Sequence, residues 1–343
     1  MLYRLCRDLL FQLDAEHAHE LTLGWFSRHP RLATLPFAGD PVQAPQPLLG
    51  LMLRNRVGLA AGLDKNGSAL AAWERLGFGF VEIGTVTPRP QPGNPRPRMF
   101  RLSEHQALIN RLGFNNLGVE ALVANVRRAR EQGDYRGVLG INIGKNADTP
   151  IERAAEDYCS ALGAVHRWAD YITVNISSPN TRNLRDLQSE SALSALLGAV
   201  ARERDRCARE QGRAAPLLVK IAPDVDGEQI AAIARVARLN GADGLIATNT
   251  TLDRAAVAGH PQAGEAGGLS GRPLRERAEA VLRQLRAELG SHYPLIGVGG
   301  IDGAEAAAAR VAAGAQAVQI YTGFIYRGPA LIRSAAQRLA DPA

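Results

Sequence analysis

The chain has 343 residues, of which 46% are hydrophobic and 22% are charged, so it is long enough to bury a large core. Its net charge of +6 comes from arginines scattered along the chain, without a dense basic run, which excludes a typical nucleic-acid-binding protein. Cys6, Cys159 and Cys207 stand far apart and match neither a metal-binding spacing nor a disulfide framework. We therefore expect no metal and a reducing compartment.

The first 40 residues contain two short amphipathic segments. In the first, one helical face carries Leu2, Leu5, Cys6, Leu9 and Leu13. The second, EHAHELTLGWFSRHP, carries along another face Ala18, Leu21, Trp25 and Phe26. Such helices lie in a membrane interface without spanning it, or pack as an ordinary pair on a larger domain. The pattern alone leaves both interpretations open. It predicts a small helical domain over residues 1–40 and a second domain over residues 41–343, with no transmembrane helix or signal peptide.

Eight short apolar segments follow, and most are nearly continuous hydrophobic runs, as expected of parallel strands buried on both faces. In chain order they are RVGLAAGL, FVEIGTV, VLGINIG, YITVNIS, LLVKIAP, GLIATNT, LIGVGGI and AVQIYTG. Amphipathic helices lie between them, and one shows the i, i+3, i+4, i+7 spacing at Leu193, Leu196, Leu197 and Val200. Eight strand–helix units predict an α/β fold, a (β/α)8 TIM barrel, with a doubly wound sheet as the alternative.

Small or polar residues end each predicted strand, and in a barrel these ends share one mouth, where ligands bind. The seventh and eighth strands end in glycine or small hydroxyl residues, which is typical of a barrel's phosphate site. Because no GxGxxG motif opens a strand–helix unit, a mononucleotide is favoured over a dinucleotide. Lys220, inside LLVKIAP, is a candidate cation for a bound anion, or a lysine that reaches the surface. The Pro- and Arg-rich insertion over residues 87–116 predicts a functional or disordered loop.

These features converge on a known family. The sequence resembles the quinone-dependent, membrane-associated class of the dihydroorotate dehydrogenase family, and the likeness spans essentially the whole chain. It rests on the blocks FQLDAEHAHE, GLAAGLDKNG, EIGTVTPRPQPGN, RLGFNNLG, GINIGKN, NISSPNT, VKIAPD, ATNTT, GGLSGRPL, GVGGID and QIYTGFIYRGP. The resemblance implies an FMN-binding barrel behind a short helical N-terminal domain. It also implies oxidation of (S)-dihydroorotate to orotate, a step of pyrimidine (UMP) biosynthesis, with a membrane quinone as electron acceptor.

The resemblance also implies which residues form the sites. The implied FMN contacts are Ala60, Ala61, Gly62, Leu63, Asp64, Lys65, Thr85, Asn142, Asn175, Lys220, Thr248, Gly271, Gly300, Tyr321 and Thr322. The implied substrate contacts are Lys65, Asn110, Arg111, Leu112, Gly113, Phe114, Asn175, Asn180, Asn249 and Thr250. The polar groups implied nearest the quinone head are His19, Arg101 and Tyr321.

The stretch YITVNISSPNT ends in neutral polar groups, and by the resemblance Ser178 within it is the catalytic base, where the soluble class carries cysteine. A serine hydroxyl is a weak base at its usual pKa, so Thr181 and a water are candidates for a proton relay. Asparagine amides both donate and accept hydrogen bonds, which suits the edge of a cyclic imide, and Lys65 would neutralise the carboxylate or a developing enolate. On its own, SSPN is also a good turn or helix-capping sequence. The TRNLR run that follows departs from the Pro-Gly-Leu of some relatives and predicts part of a lid.

By the same resemblance the N-terminal helices bind the membrane surface, and the protein is a peripheral monomer on the cytoplasmic side of a bacterial inner membrane. Three alternatives remain. One is a soluble-class FMN barrel that uses fumarate or NAD, which Ser178 and the N-terminal helices disfavour. The second is a basic peripheral membrane protein without redox activity. The third is a phosphosugar-metabolising barrel, which offers no reason for the asparagine set.

Overall fold

The computed structural model describes residues 2–37 and 39–340. Its N-terminal part forms α1 (Leu2–Leu10), α2 (Ala15–Arg28) and α3 (Pro30–Thr34). The carboxylate of Asp14 caps α2 by accepting hydrogen bonds from the backbone N–H groups of residues 16 and 17. Helix α1 ends before Leu13, which lies in the turn that follows. Whether these helices form a domain separate from the barrel stays a prediction.

The chain continues through thirteen strands. In order they are β1 (Gln46–Leu48), β2 (Leu51–Leu53), β3 (Val57–Leu59), β4 (Phe80–Val86), β5 (Met99–Leu102), β6 (Ala107–Asn110), β7 (Val138–Ile143), β8 (Tyr171–Asn175), β9 (Leu217–Ile221), β10 (Gly244–Ala247), β11 (Gly268–Gly271), β12 (Leu295–Val298) and β13 (Ala317–Ile320). Strands β3, β4, β7, β8, β9, β10, β12 and β13 pair in parallel in that order, and β13 returns to β3 to close a barrel. The eight apolar segments are the eight barrel strands, so the predicted TIM barrel is confirmed.

Helices cover the outside of the barrel. They are α4 (Leu70–Leu76), α5 (Val119–Glu131), α6 (Ala154–Val165), α7 (Glu190–Gln211), α8 (Gly227–Leu239), α9 (Arg275–Leu289), α10 (Ala304–Ala312), α11 (Thr322–Arg327) and α12 (Ala330–Ala340). The predicted apolar face of α7 is buried in full against the strands. A second, smaller apolar cluster fills the barrel interior below the mouth and includes Phe80, Leu218, Ile246 and Ile296.

The insertion over residues 87–116 is ordered and forms two of the three strands of a small antiparallel sheet. Strand β6 lies between β5 and β11, with Ile109 opposite both Phe100 and Leu269. These three side chains belong to a separate buried apolar cluster that also contains Leu102, Ala107 and Val257. The insertion and the GGLSG segment therefore fold together, and they carry Asn110 and Gly271 to the barrel mouth. Within the described ranges, no helix combines the length and apolar character needed to cross a membrane.

Candidate active site

A cavity opens at the carboxyl ends of the barrel strands, with about 930 Å³ of empty space when the part open to solvent is included. Residues from most of the strand ends and from the small antiparallel sheet line it. The sequence-predicted residues in its wall are Ala60, Ala61, Gly62, Lys65, Thr85, Asn110, Leu112, Gly113, Phe114, Asn175, Ser178, Asn180, Lys220, Thr248, Asn249, Thr250, Gly271, Gly300, Tyr321 and Thr322. One concave site therefore brings together predicted residues that are up to 262 positions apart in the sequence, from Ala60 to Thr322.

A buried carboxylate organises the floor of this cavity. Glu82 in β4 is fully buried and accepts three hydrogen bonds, from Asn142 Nδ2 at 2.8 Å, Tyr171 OH at 3.0 Å and Gln319 Nε2 at 2.8 Å. Each donor comes from a different barrel strand. Because a buried charge is tolerated when hydrogen bonds satisfy it, this network locks four strands together below the mouth.

The same network continues upward to the cavity wall. Thr85 Oγ1 donates to Asn142 Oδ1 at 2.5 Å and accepts from Asn175 Nδ2 at 2.8 Å. Asn142 thus lies beneath the cavity, whereas Thr85 and Asn175 face it. The amide of Asn175 is oriented by this chain of contacts before any ligand arrives.

Two lysines supply positive charge to the cavity. Lys65 Nζ donates to Asn115 Oδ1 at 2.7 Å; burial, reinforced by the charge of Arg98, lowers the pKa of Lys65 to about 8. Burial also lowers the pKa of Lys220, and the carboxylate of Glu82 opposes that effect. Lys220 is buried and lines the cavity, so its side chain does not reach the outer surface; its role as a cation for a bound anion stays a prediction.

The predicted base lies among the asparagines. Ser178 is buried, and its Oγ accepts a hydrogen bond from the backbone N–H of Asn180 at 3.2 Å. Asn180 Nδ2 donates to Asn110 Oδ1 at 3.2 Å, and Asn249 Nδ2 donates to Ser177 Oγ at 3.0 Å. Ser178 therefore shares the cavity wall with these amides, and its hydroxyl oxygen receives a backbone donor that favours negative charge on it.

Glycines and hydroxyl groups line the end of the cavity next to β12 and β13. At Gly300, with φ at +70°, an added Cβ would overlap the backbone of Arg275, so the chain can pass this close only as glycine. Ser270 Oγ hydrogen-bonds Thr322 Oγ1 at 2.8 Å. Ser270 was not among the site residues predicted from the sequence, although it lies inside the GGLSG segment. The other lining residues that the sequence did not single out are Leu274, Val298, Gly299, Ile301, Gln319, Ile320 and Gly323.

Two buried polar atoms near this cavity have no hydrogen-bond partner among the described residues. They are Gln319 Oε1 and Thr250 Oγ1, and both residues belong to the cavity wall, although buried polar atoms are normally paired. The two lysines and the glycine-lined end together suit a polar anion.

Five residues of the predicted cofactor, substrate and catalytic sets stay outside this wall in the described structure: Leu63, Asp64, Arg111, Asn142 and Thr181. Asp64 instead accepts hydrogen bonds from the backbone N–H groups of Ser68 and Ala69 and from Trp73 Nε1, so its side chain fixes the start of α4. The guanidinium of Arg111 pairs with Glu265 at 2.6 Å. Thr181 is buried in the loop after Ser178. A role for these five side chains in the site stays a prediction.

A second cavity, of about 870 Å³, lies between α1, α2 and the barrel, and its wall is mostly apolar. His19 and Arg101 are among its few polar groups. Burial, reinforced by the charge of Lys65, lowers the pKa of His19 to about 4, so the imidazole is neutral at pH 7. Arg101 Nη1 donates to the Phe11 carbonyl at 3.0 Å and its guanidinium stacks on the Phe11 ring. Tyr321, the third predicted quinone residue, instead lines the first cavity.

The two cavities are close neighbours. Gly62 lines the first cavity and Leu63 lines the second; likewise Gly323 lines the first and Phe324 the second. At two places, consecutive residues of the chain therefore face opposite cavities. A molecule in one is separated from a molecule in the other by little more than a backbone.

The outer surface of the N-terminal helices carries exposed apolar side chains. On α1, Leu2, Leu5 and Leu9 are exposed, the last by 74%. The face predicted for the second helix divides, because Leu21 and Trp25 are exposed whereas Ala18 and Phe26 line the second cavity. Helix α2 thus has one apolar side toward the cavity and another toward the surroundings, which is unusual for a helix in water.

Comparison with known proteins identifies the family. The sequence profile described as Dihydroorotate dehydrogenase matches residues 44–342. A relative from Acidovorax sp. (strain JS42), named dihydroorotate dehydrogenase (quinone), is 56% identical over 99% of this chain and 98% of its own. One of the same name from Chromobacterium violaceum is 57% identical with the same coverage. A solved DHODH from Eimeria tenella in complex with ferulenol is 37% identical, has a TM-score of 0.88 and covers 96% of this chain and 93% of its own. The resemblance found in the sequence is confirmed: the chain belongs to the flavin-using dihydroorotate dehydrogenase family, in its quinone-dependent class.

Proposed function

We propose that the protein oxidises (S)-dihydroorotate to orotate and passes the electrons through FMN to a membrane quinone, as a step of pyrimidine (UMP) biosynthesis. The observation that carries this proposal is the pair of adjoining cavities, one polar and one apolar, divided at Gly62/Leu63 and Gly323/Phe324. A polar substrate and an apolar acceptor need separate entrances but a short path for electrons, and this arrangement provides both.

The first cavity is suited to FMN and dihydroorotate together. Backbone at Gly271 and Gly300 and the hydroxyl of Thr322 would hold the phosphate, and Thr85, Asn175 and Lys220 would hold the ring system. When bound, FMN supplies the two-electron acceptor for the hydride that leaves the substrate ring. Lys220 is a cation oriented by its burial near Glu82, so it favours negative charge on the group above it.

The substrate would lie among the asparagines. Their amides match the alternating donors and acceptors of a cyclic imide, and Lys65 would pair with the carboxylate. Ser178 Oγ takes the proton from the ring carbon next to the one that loses the hydride. As it does so, Ser178 must pass its own hydroxyl proton onward, and the backbone N–H of Asn180, which already donates to Ser178 Oγ, favours the alkoxide character of that oxygen before the substrate proton arrives. Thr181 stays a candidate for the onward proton relay.

The second cavity would receive the quinone. Its apolar wall suits a hydrophobic acceptor, and neutral His19 and cationic Arg101 provide polar contacts for a head group. Tyr321 would act from the flavin side of the wall. The exposed leucines of α1 would enter one leaflet of the membrane. We therefore propose a peripheral monomer on the cytoplasmic face of a bacterial inner membrane.

A soluble-class enzyme that uses fumarate or NAD is the second candidate. Ser178 in place of the soluble-class cysteine and the apolar second cavity both disfavour it. The oxidant distinguishes the quinone-dependent enzyme from the soluble-class enzyme, because only the quinone-dependent enzyme needs the second cavity to bind its acceptor.

The test is anaerobic absorbance spectroscopy of the purified protein in detergent. Addition of dihydroorotate is expected to bleach the flavin band, and a short-chain quinone analogue is expected to restore it. Fumarate and NAD serve as control oxidants. Recovery with either control and not with the quinone would support the soluble class, whereas a bound flavin that dihydroorotate does not bleach would show that the substrate assignment is wrong.

A further inference from the structure

Arg185 connects two loops of the active site. It lies in the short 3-10 turn Leu184–Gln188, in the segment that follows Ser178. Its Nε donates to the Ser177 carbonyl at 3.1 Å, and its Nη2 donates to the Thr250 carbonyl at 2.9 Å. One carbonyl immediately precedes Ser178, and the other immediately follows Asn249. A single guanidinium therefore holds the loop after β8 against the loop after β10.

Asp224, in the loop after β9, fixes the guanidinium. It accepts from Arg185 Nη1 at 2.8 Å, from the Leu252 backbone N–H at 2.9 Å and from the Thr251 hydroxyl. Arg277 contacts its other oxygen at 2.8 Å. Burial alone would raise the pKa of Asp224, but the hydrogen bonds from Thr251, Leu252 and Arg185 lower it below its usual value. The carboxylate is thus a stable anion with several fixed donors.

We infer that Arg185, held by Asp224, is a positioning residue that sets the distance between Ser178 and the Asn249 amide, and this role rests on the proposed function. Three consecutive loops of the barrel mouth meet at this one ion pair. The guanidinium itself does not line the cavity, so it acts through the two backbone carbonyls. A planar fork with donors in fixed directions can hold two carbonyls and a carboxylate at once, which an ammonium group cannot do as rigidly.

The proposal predicts a loss in one half-reaction only. In Arg185→Lys, the charge opposite Asp224 remains but the fork is lost, and in Arg185→Ala both are lost. Displacement of a reacting group by about 1 Å costs about 10²-fold in rate. We therefore expect the limiting rate of flavin bleaching by dihydroorotate to fall about 10-fold in Arg185→Lys and about 10²-fold in Arg185→Ala.

Two readouts separate positioning from general damage. The dissociation constant of orotate is measured from the change that orotate causes in the flavin spectrum. In each variant, the fold-change in this constant should be at least about tenfold smaller than the fold-change in the bleaching rate. Reoxidation of dithionite-reduced enzyme by the quinone analogue should stay at the wild-type rate, because Arg185 has no contact with the second cavity.

Arg277→Gln is the matched control. Arg277 also pairs with Asp224, but it is 44% exposed and donates to neither carbonyl, so its loss should leave bleaching unchanged. Wild-type bleaching in both Arg185 variants would overturn the inference. Equal losses in bleaching, orotate binding and quinone reoxidation would also overturn it, since they indicate a structural role. A wild-type protein that dihydroorotate fails to bleach would remove the proposed function and this inference with it.

Discussion

Lys65 lies between the polar cavity and a group of charged side chains behind it, and these surroundings set its pKa. Burial and the nearby Arg98 lower the pKa to about 8, while Glu16 and Glu20 on α2 oppose them. The ammonium is therefore charged well below pH 8, about half deprotonated near pH 8, and its charge is lost as the pH rises further. At the scale of single residues, the polar cavity thus contains a cation, Lys65, whose charge changes close to physiological pH.

The affinity for orotate should depend on pH because of this lysine. If Lys65 pairs with the orotate carboxylate, the dissociation constant is constant below about pH 7.5 and rises about tenfold per pH unit above about pH 8.5. A titration of the flavin spectrum with orotate from about pH 6 to about pH 10 measures it. Lys65→Met is the control and should bind weakly, without that rise. A constant affinity for the wild type across the range would contradict the assignment of Lys65 to the carboxylate.

At the scale of secondary-structure elements, α2 is tied to the insertion over residues 87–116 by a buried ion pair. Arg98 Nε and Nη2 donate to Glu16 at 3.0 and 2.7 Å, and both side chains are buried. Arg98 Nη1 also donates to the Asn94 carbonyl at 2.6 Å, and Asn94 Nδ2 donates to the Asn180 carbonyl at 3.3 Å. Removal of the N-terminal helices would leave the Arg98 guanidinium, within the insertion over residues 87–116, without the carboxylate of Glu16 as its counter-charge. A truncated protein is therefore a poor test of the quinone site alone.

The pair predicts unequal effects for two carboxylates on the same helix. Glu16→Gln leaves a buried guanidinium without its counter-charge, which costs about 3–5 kcal/mol. Glu20 pairs with Arg96 at the surface, so Glu20→Gln should cost less than about 1 kcal/mol. Unfolding by urea, followed by circular dichroism, measures both. A change of similar size in the two variants would mean that the Glu16–Arg98 pair is not effectively buried.

At the scale of the whole molecule, the sequence predicts the structural features that depend on local residue patterns, such as the barrel strands. The continuous apolar runs predict all eight barrel strands, and the polar strand ends predict a part of the cavity wall, whereas the other predicted wall residues come from the family resemblance. Gln319 was not predicted, because a single polar residue inside AVQIYTG has no meaning until barrel closure brings it to Glu82, 237 positions away. The resemblance assigns Asp64 to the cofactor, which stays a prediction, and the fold adds that its carboxylate accepts backbone hydrogen bonds at the start of α4.

The second cavity could not be located from sequence for the same reason. Its wall joins α1 and α2 to α11, and contacts such as Tyr3 OH to the Ile325 carbonyl, at 2.6 Å, bridge 322 positions. Helical periodicity assigned Ala18 and Leu21 to one face of α2, but only the packing separates the residue that lines the cavity from the one that is exposed. Substitutions at Ala18 and Leu21 therefore test directly whether flavin reoxidation, and not flavin reduction, depends on the second cavity.

Ala18→Phe should separate the two half-reactions. The added ring projects into the second cavity and competes with the quinone, and a loss of about 1.4 kcal/mol in quinone binding corresponds to a tenfold weaker affinity. Bleaching by dihydroorotate should be unchanged, because the first cavity is not altered. Leu21→Phe, an enlargement at an exposed site on the same helix, should change neither rate. The measurement is the rate of flavin reoxidation against quinone concentration. Normal reoxidation in Ala18→Phe would show that electrons leave by another route, whereas a selective loss would assign the apolar cavity to the acceptor.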